Sequence, residues 1–247
     1  MAEPLPGEEP WSGSYEPPRS SPEAVRRDPG SVKPVRSRRL HDISDHGGAD
    51  TGDGHVLGKF RNTYYDLPNQ RDFEGAPTPL FDARCRTIER VPRAFFESLC
   101  VQGSGLLNDA RTVSFARRGC PCAEICPKTQ QRICFDVLST DEFPWGRGAL
   151  GTPIVPLLTI AVDSQVIPLK SGVYIPEFDG LPREESGNAP HDGCFVAQDR
   201  GLEVRGRHVD VFTGEPSMTA LWNRLVPSNR GVTVVLGTAR CARAPDL

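Results

Sequence analysis

The sequence has 247 residues, enough for one domain of ordinary size with tails or for two small domains. Its 29 Lys and Arg residues against 32 Asp and Glu residues give a net charge of −3, so the chain lacks the basic field that nucleic-acid binding needs. No run of about 18 apolar residues occurs, so we expect a soluble chain without a transmembrane segment.

Residues 1–57 are rich in Pro, Gly, Ser, Asp and Arg, and their few apolar residues follow neither a helical nor a strand period. We therefore predict a disordered tail. Its segment 19–39 is locally basic and serves either as a solvated linker or as a contact to an anionic polymer. Residues 1–11 lack the basic start and the apolar stretch of a secretory signal, so a signal would have to lie upstream.

Ordered structure is predicted to begin near residue 58. Residues 60–65 are rich in strand-forming residues and precede a turn, which predicts a first strand. Pro92 suits the first position of a helix, and the large apolar residues of segment 92–100 fall on one face. Residues 101–153 contain many glycines and are predicted to be mostly loop.

Short strands separated by turns are predicted from residue 157 onward, as in a small β-barrel. They cover residues 157–162, 173–175, 194–198 and 209–212. Apolar residues recur at i, i+3, i+4 and i+7 within residues 216–227, which predicts an amphipathic helix, and residues 232–236 form a last strand. We therefore predict one mainly β domain over residues 58–240, followed by a short tail over 241–247.

The eight cysteines are an even number and a high one for this length. All eight are disulfide candidates: Cys85, Cys100, Cys120, Cys122, Cys126, Cys134, Cys194 and Cys241. From Cys120 to Cys134 the spacing is C-x-C-x3-C-x7-C, unlike the paired C-x2-C of zinc knuckles, although a thiolate metal site is the alternative. Disulfides predict export to an oxidising, extracytoplasmic compartment, namely the periplasm, outer membrane or cell wall.

Three aspartates occur within or at the end of apolar, strand-like runs. Asp163 follows Ile-Ala-Val, Asp199 follows Phe-Val-Ala-Gln, and Asp210 lies within His-Val-Asp-Val-Phe. Such a carboxylate is costly to desolvate and needs partners or a purpose. In one cleft the three groups would raise one another's pKa and leave one protonated near neutral pH, as a general acid requires. Alternatively, each caps a turn or accepts backbone N–H bonds.

Three motifs contain these aspartates: Asp163-Ser-Gln-Val-Ile-Pro-Leu169, Phe195-Val-Ala-Gln-Asp-Arg-Gly201 and Val209-Asp-Val-Phe212. They resemble the three-aspartate (3D) domain of bacterial cell-wall proteins, whose pattern runs A-V-D-P-x-V-I-P-L-G, A-x-D-T-G-G-A-I-K-G and x-x-D-x-F. That family includes the membrane-bound lytic transglycosylase A enzymes. The match covers residues 157–214 closely, and residues 61–65 fit the family's first strand.

The resemblance implies a six-stranded double-psi β-barrel of the RlpA/barwin-like type, with a cysteine-rich loop insertion at about residues 100–150. It also implies cleavage of peptidoglycan between N-acetylmuramic acid and N-acetylglucosamine, without a cofactor. Asp210 would be the acid/base, Asp199 would sustain its raised pKa, and Asp163 would support the cleft from the side. Substrate-binding positions are expected at Gly201, Arg205, Gly206 and His208. No metal ligand is assigned.

Two histidines have local interpretations of their own. His208 lies two residues before Asp210 on the same strand, so the two side chains share a face and could hydrogen-bond. His191 begins the segment His-Asp-Gly-Cys, which is predicted to be a surface turn, with a metal ligand or proton carrier as the alternative role.

The sequence departs from the family pattern at Gly201-Leu-Glu-Val-Arg-Gly206, where the family has Gly-Gly-Ala-Ile-Lys-Gly. The bulkier segment is expected to narrow the cleft. The sequence also shows no insertion of the size of the second domain found in lytic transglycosylase A enzymes. A non-catalytic glycan-binding module and a metal-binding structural domain are therefore the alternative functions.

Overall fold

The computed structural model describes residues 54–187 and 189–242. Residues 1–53, which hold the basic segment and most of the predicted tail, lie outside the described part, and so do residues 243–247. The predicted tail extends to residue 57, whereas the first strand already begins at His55.

The described residues form eleven strands and two α-helices of ten residues each. In chain order these are β1 (His55–Asp66), β2 (Pro77–Phe81), β3 (Thr87–Pro92), α1 (Arg93–Gln102), β4 (Ser104–Leu106), β5 (Thr112–Arg118), β6 (Ile133–Leu138), β7 (Thr159–Val162), β8 (Gly172–Pro182), β9 (Pro190–Asp199), β10 (His208–Gly214), α2 (Pro216–Leu225) and β11 (Val232–Leu236). Each predicted strand and helix overlaps one of these elements. Within the described chain, neither helix is long and apolar enough to cross a bilayer.

Six strands close into a barrel in the order β1-β10-β7-β9-β8-β11. β1 runs parallel to β10 and β7 runs parallel to β9, whereas the other pairings around the barrel are antiparallel. This closed arrangement confirms the predicted six-stranded barrel of the double-psi class. Parallel neighbours cannot be joined by a tight turn, so long connections must cross between them.

Helix α2 packs on the barrel through Trp222, which is fully buried. The indole ring lies 5.3 Å from the ring of Phe178 between centroids, and its Nε1 donates to the Pro182 carbonyl at 2.8 Å. Pro216 begins the helix, where its missing N–H has no intrahelical acceptor to lose. The helix therefore completes the apolar core that the strands enclose.

His191 belongs to the same core, so the predicted surface turn is wrong. Its side chain is buried, and its ring stacks on Phe195 at 4.6 Å between centroids. Nε2 lies 2.6 Å from the Leu157 carbonyl and donates to it, because a carbonyl only accepts, while Nδ1 accepts the Gly193 N–H at 2.8 Å. Both ring nitrogens are thereby satisfied, which leaves none for a metal. β9 begins at Pro190, and strand alternation turns the next side chain inward.

Burial lowers the pKa of His191 from 6.5 to about 4, which predicts a loss of stability in acid. The unfolded chain takes up the proton first, so the contribution is complete above pH 6.5 and disappears as the pH falls through about 4. This change in pKa corresponds to roughly 3 kcal/mol in the free energy of unfolding. Urea unfolding of wild type and His191→Gln at several pH values should show the wild-type advantage shrinking in acid. An advantage that stays constant with pH would contradict this.

Residues 67–158, between β1 and β7, form what we call the inserted lobe. It contains the hairpin β2-β3, the helix α1 and the three-stranded sheet β4-β5-β6. Its own core consists of Leu80, Val91, Phe95, Phe96, Leu99, Cys100, Leu107, Val113, Cys126, Ile133 and Phe135. The predicted cysteine-rich insertion is confirmed, and most of residues 101–153 is loop, as predicted. The short strands β4, β5 and β6 within that stretch were not predicted. Gly103 (φ 83°) ends α1 and Gly119 (φ 67°) follows β5, and both positive φ angles favour glycine.

Six of the eight cysteines form disulfides, which confirms that prediction for them. The pairs are Cys85–Cys122, Cys120–Cys134 and Cys194–Cys241. The first two link hairpin β2-β3 and strand β6 to the β5-β6 connection, and the third links β9 to the end of the described chain. The sulfur atoms of Cys85, Cys120 and Cys122 lie within 4.8 Å of one another, but in disulfides they lack the thiolate charge that a metal needs.

Cys100 and Cys126 differ from the prediction, because both are buried free thiols. They hydrogen-bond to each other inside the core of the inserted lobe, where burial raises the pKa of Cys100 well above its usual range. Disulfide formation proceeds through a thiolate, so burial of the Cys100 thiol disfavours its oxidation.

Thiol counting tests this pairing directly. Alkylation in denaturant without reductant should label two thiols per chain, and alkylation after reduction should label eight. Cys100→Ser should reduce the first number to one. Protein from oxidising conditions that labels at six or more positions before reduction would contradict the disulfides.

Candidate active site

Asp199 and Asp210 lie on the two strands that flank β7. Ala161 of β7 is the register partner of Asp199 on β9 and of Asp210 on β10. Neighbouring strands are about 4.8 Å apart, so the two aspartates stand on either side of one residue in the barrel wall. Both side chains are partly exposed to solvent. The structure therefore brings together two of the three predicted aspartates.

The Asp210 carboxyl accepts a hydrogen bond from one side-chain hydroxyl, that of Thr63. It lies opposite Thr63 in the parallel pairing of β1 and β10, and Thr63 Oγ1 donates to its Oδ1 at 2.7 Å. Burial among protein atoms, with a smaller contribution from the charge of Asp199, raises the pKa of Asp210 to about 6, against the Thr63 hydrogen bond. A carboxyl with this pKa can both give and take a proton near neutral pH.

Asp199 has three donors. Tyr65 Oη donates to Oδ2 at 2.9 Å, and the backbone N–H groups of Ala149 and Arg200 donate to Oδ1 at 3.0 and 2.8 Å. Burial raises the pKa of Asp199, while these hydrogen bonds act against it by favouring the charged form. The two carboxyls thus differ, because three hydrogen bonds stabilise the ionised form of Asp199 and one stabilises that of Asp210.

Asp163 has a different environment from the other two aspartates. It follows the last residue of β7 and accepts the N–H of Gly206 at 2.7 Å and of Gln165 at 3.0 Å. These bonds, with a smaller contribution from the charge of Arg205, lower the pKa of Asp163. The carboxylate therefore holds the loop 200–207 between β9 and β10 in place.

The loop 200–207 forms one side of a pocket. Its lining includes Asp163, Gln165, Arg200, Gly201 and Arg205. Two of the predicted substrate-binding residues, Gly201 and Arg205, thus line this pocket. The loop that carries them directly follows Asp199 in the chain.

The other two predicted substrate-binding residues occupy different places. The Gly206 N–H is bound to Asp163, and His208 is 5% exposed, with Nε2 2.7 Å from Thr63 Oγ1. His208 therefore contacts Thr63, the hydrogen-bond partner of Asp210, and is not among the residues that line the pocket.

The inserted lobe reaches the aspartates through the turn that contains Trp145 and Ala149. The Trp145 ring lies 6.2 Å from the ring of Phe212 between centroids, and Ala149 donates to Asp199. A Cβ on Gly148 would lie 2.9 Å from the Gln198 carbonyl, so a larger residue would push the lobe away from β9. The lobe therefore supplies part of the wall around Asp199.

Three groups at the site escaped sequence reasoning: Thr63, Tyr65 and the Ala149 backbone N–H. Thr63 and Tyr65 are two residues apart in β1, so their side chains share one face of the sheet, on which Thr63 meets Asp210. The run Asn62-Thr-Tyr-Tyr65 shows no alternation of polar and aromatic residues that would have marked this face. Ala149 donates through its backbone N–H, a group that almost every residue type has, so the sequence gives no signal for it.

The fold and the site define a closed six-stranded β-barrel with two partly buried carboxyls at adjoining strands. Residues 158–221 match the model of the 3D domain. This segment holds all three aspartate motifs, so residues 158–221 are similar to the 3D domain, as the motifs predict. A search of curated protein sequences finds no match.

Two solved structures share this fold at low sequence identity. One is a membrane-bound lytic murein transglycosylase from Agrobacterium tumefaciens, with a TM-score of 0.52 and 14% identity over 72% of this chain and 74% of that chain. The other is E. coli MltA with bound chitohexaose, with a TM-score of 0.50 and 17% identity over 74% of this chain and 72% of that chain. Both likenesses extend beyond the barrel motifs, because the 3D match spans a much shorter segment.

The raised pKa of Asp210 predicts that Asp210→Asn stabilises the protein at neutral pH. The folded pKa of about 6 exceeds the unfolded 3.8, so the contribution of this group is greatest below pH 4 and is lost as the pH rises through 6. At pH 7 the variant should therefore be more stable, by at most roughly 3 kcal/mol, and near pH 4 the difference should vanish.

Asp163→Asn is the matched control, because the pKa of Asp163 is lowered and its loss should destabilise the fold at pH 7. Denaturant unfolding at pH 4 and pH 7 measures both variants. A wild type more stable than Asp210→Asn at pH 7 would show that the carboxylate is not strained by burial.

Proposed function

We propose that this protein cleaves the glycan strands of peptidoglycan as a lytic transglycosylase. The observation that carries the proposal is the pair of carboxyls at the barrel wall, one with a pKa raised to about 6 and one with three donors to its anion. Such unequal environments separate an acid/base from a charged partner.

Asp210 is the single acid/base of the proposed reaction. Its proton passes to the glycosidic oxygen between N-acetylmuramic acid and N-acetylglucosamine as that bond breaks. The resulting carboxylate then takes the proton from the muramic O6 hydroxyl, whose oxygen bonds to C1 and closes a 1,6-anhydro ring. No water is consumed, and the nucleophile belongs to the substrate, so one carboxyl suffices where hydrolysing glycosidases use two.

Asp199 and Asp163 support this step in different ways. The anionic charge of Asp199 raises the pKa of Asp210 and would stabilise positive charge that develops on the sugar ring. Asp163 instead anchors the loop 200–207 through Gly206 and so shapes the adjoining pocket. Arg205 and Gly201 would contact the sugar there.

Two further observations support a substrate in the cell wall. The E. coli neighbour was solved with chitohexaose, a chain of amino sugars, although at 17% identity this likeness concerns the fold alone. Three disulfides favour a location outside the cytoplasm. We propose an extracytoplasmic, cell-wall location.

A glycan-binding module without cleavage is the second candidate. It is favoured by the segment from Gly201 to Gly206, in which Leu202 and Glu203 stand where the family has small residues. A bulkier loop beside the aspartates would hold a strand without allowing the ring distortion that cleavage requires.

Product analysis tests the proposal. Incubation with purified peptidoglycan, followed by mass spectrometry of the soluble fragments, should detect 1,6-anhydro-muramic ends with the wild type. Asp210→Asn should lose about 10²–10⁴-fold in rate, because the amide is isosteric with the acid but cannot transfer a proton. Binding to insoluble peptidoglycan should survive.

Asp199→Asn is the comparison variant. It should lower the rate less and displace the pH–rate profile towards acid, because a neighbouring negative charge is removed. More than a tenth of wild-type rate in Asp210→Asn would rule out its acid/base role. Wild-type binding without anhydro products would favour the binding module.

A further inference from the structure

The Thr63 hydroxyl lies between Asp210 and a second titratable group. Thr63 Oγ1 is 2.7 Å from Asp210 Oδ1 and 2.7 Å from His208 Nε2. His208 and Asp210 are two residues apart on β10, so their side chains share a face, and Thr63 approaches both from the parallel strand β1. The three side chains form a continuous chain of hydrogen bonds from the partly exposed Asp210 to the buried His208.

The hydrogens of this chain can be counted. His208 Nδ1 lies 3.2 Å from the Glu203 backbone carbonyl, which can only accept, so Nδ1 carries a hydrogen. A neutral His208 therefore presents the lone pair of Nε2 to Thr63. The ionised Asp210 also presents a lone pair, and the hydroxyl has one hydrogen for two acceptors at 2.7 Å.

One additional proton satisfies every contact, and it can sit at either end. On Asp210, the carboxyl donates to Thr63 Oγ1 and the hydroxyl donates to His208 Nε2. On His208, Nε2 donates to Thr63 Oγ1 and the hydroxyl donates to the Asp210 carboxylate. The two arrangements have the same heavy-atom positions and differ by moving two hydrogens along the chain.

We propose that Asp210 and His208 share one proton through the Thr63 hydroxyl, which makes His208 a positioning residue that keeps Asp210 loaded for acid catalysis. The inference rests on the acid/base role proposed above for Asp210. When Asp210 gives its proton to the glycosidic oxygen, the hydroxyl turns from His208 to the new carboxylate. When Asp210 regains a proton from O6, the hydroxyl turns back, so the chain consumes no net proton.

The surroundings bring the proton affinities of the two groups together. Burial lowers the pKa of His208, and the Arg61 guanidinium lowers it further. Burial and the charges of Asp199 and Asp66 raise the pKa of Asp210, against Thr63 and Arg61.

Two further titratable or charged side chains, Tyr65 and Arg207, lie near the strands that carry this hydrogen-bond chain. Tyr65 lies near both carboxylates, and burial and their charges raise its pKa well above its usual range, so it stays neutral. The Arg207 guanidinium lies over the Phe60 ring, 5.9 Å from its centroid. A proton is shared most readily between groups whose proton affinities are close.

Nuclear magnetic resonance tests the sharing without any substrate. The His208 ring nitrogens and the Asp210 carboxyl carbon should titrate together, each reporting the same two steps, with Nδ1 protonated in the neutral ring. Independent single-step titrations, or a neutral ring protonated at Nε2, would overturn the proposal. A failed peptidoglycan assay would leave this measurement intact, so the two proposals can fail separately.

Two variants change the pKa of Asp210 in opposite directions. In His208→Phe the Thr63 hydroxyl can donate only to the Asp210 carboxylate, so the pKa of Asp210 should fall by roughly one pH unit. Thr63→Val removes the donor to the anion and should raise it by a similar amount. In the Thr63→Val background, His208→Phe should have almost no further effect, because the bridge is already broken.

The exposed His55 on β1 provides the control, since His55→Gln should leave the Asp210 titration unchanged. If His208→Phe fails to fold, Thr63→Val and the wild-type titration still decide the matter. An unchanged Asp210 pKa in a folded His208→Phe, or equal effects of that change with and without Thr63, would overturn the proposal. On peptidoglycan, the pH–rate profile of His208→Phe should move towards acid by the same roughly one pH unit.

Discussion

The site depends on the parallel pairing of β1 with β10. That register sets Thr63 opposite Asp210 and Arg61 opposite His208, although about 145 residues separate the strands in sequence. A shift by one residue would turn Thr63 away and present Asn62 or Tyr64 instead. Asn62 prevents such a slip, because its buried amide donates to the Pro227 carbonyl and accepts the Gly231 N–H. The connection before β11 therefore fixes β1, and β1 in turn fixes the environment of Asp210.

The difference between the two central carboxyls follows from their donors rather than from their depth. Both are partly exposed and both have pKa values raised by burial. Asp199 receives two backbone N–H groups and a tyrosine hydroxyl, whereas Asp210 receives one threonine hydroxyl. Each donor to a carboxylate favours ionisation, so the negative charge concentrates on Asp199 and the proton on Asp210. The acid, Asp210, and the anion, Asp199, thus lie on either side of Ala161 in the barrel wall.

The inserted lobe connects the cysteines to the chemistry. Two disulfides join its hairpin and sheet at the β5-β6 connection, which stiffens a lobe whose own apolar core is small. The same lobe delivers the Ala149 N–H to Asp199. Because a hydrogen bond of 3.0 Å depends on the placement of a whole turn, rigidity elsewhere in the lobe contributes to the position of the donor at Asp199.

Local pattern was sufficient for part of this protein. The strands of the barrel, both helices and the three aspartate motifs follow from alternation, helical spacing and residue type, all of which act over a few residues. The 3D domain was recognised because its aspartates keep their places in those motifs. The cysteine-rich insertion was predicted, but its strands were missed because they are short and separated by turns that resemble loop in composition.

Tertiary structure alone decided the remainder. Which cysteines pair, that Cys100 and Cys126 stay free, and that His191 lies in the core depend on contacts between distant segments. The roles of Thr63 and Ala149 depend on strand register and on a backbone donor from another lobe. A sequence shows which groups can donate or accept a proton, but only the folded chain sets the distances of 2.7 to 3.0 Å at which they do so.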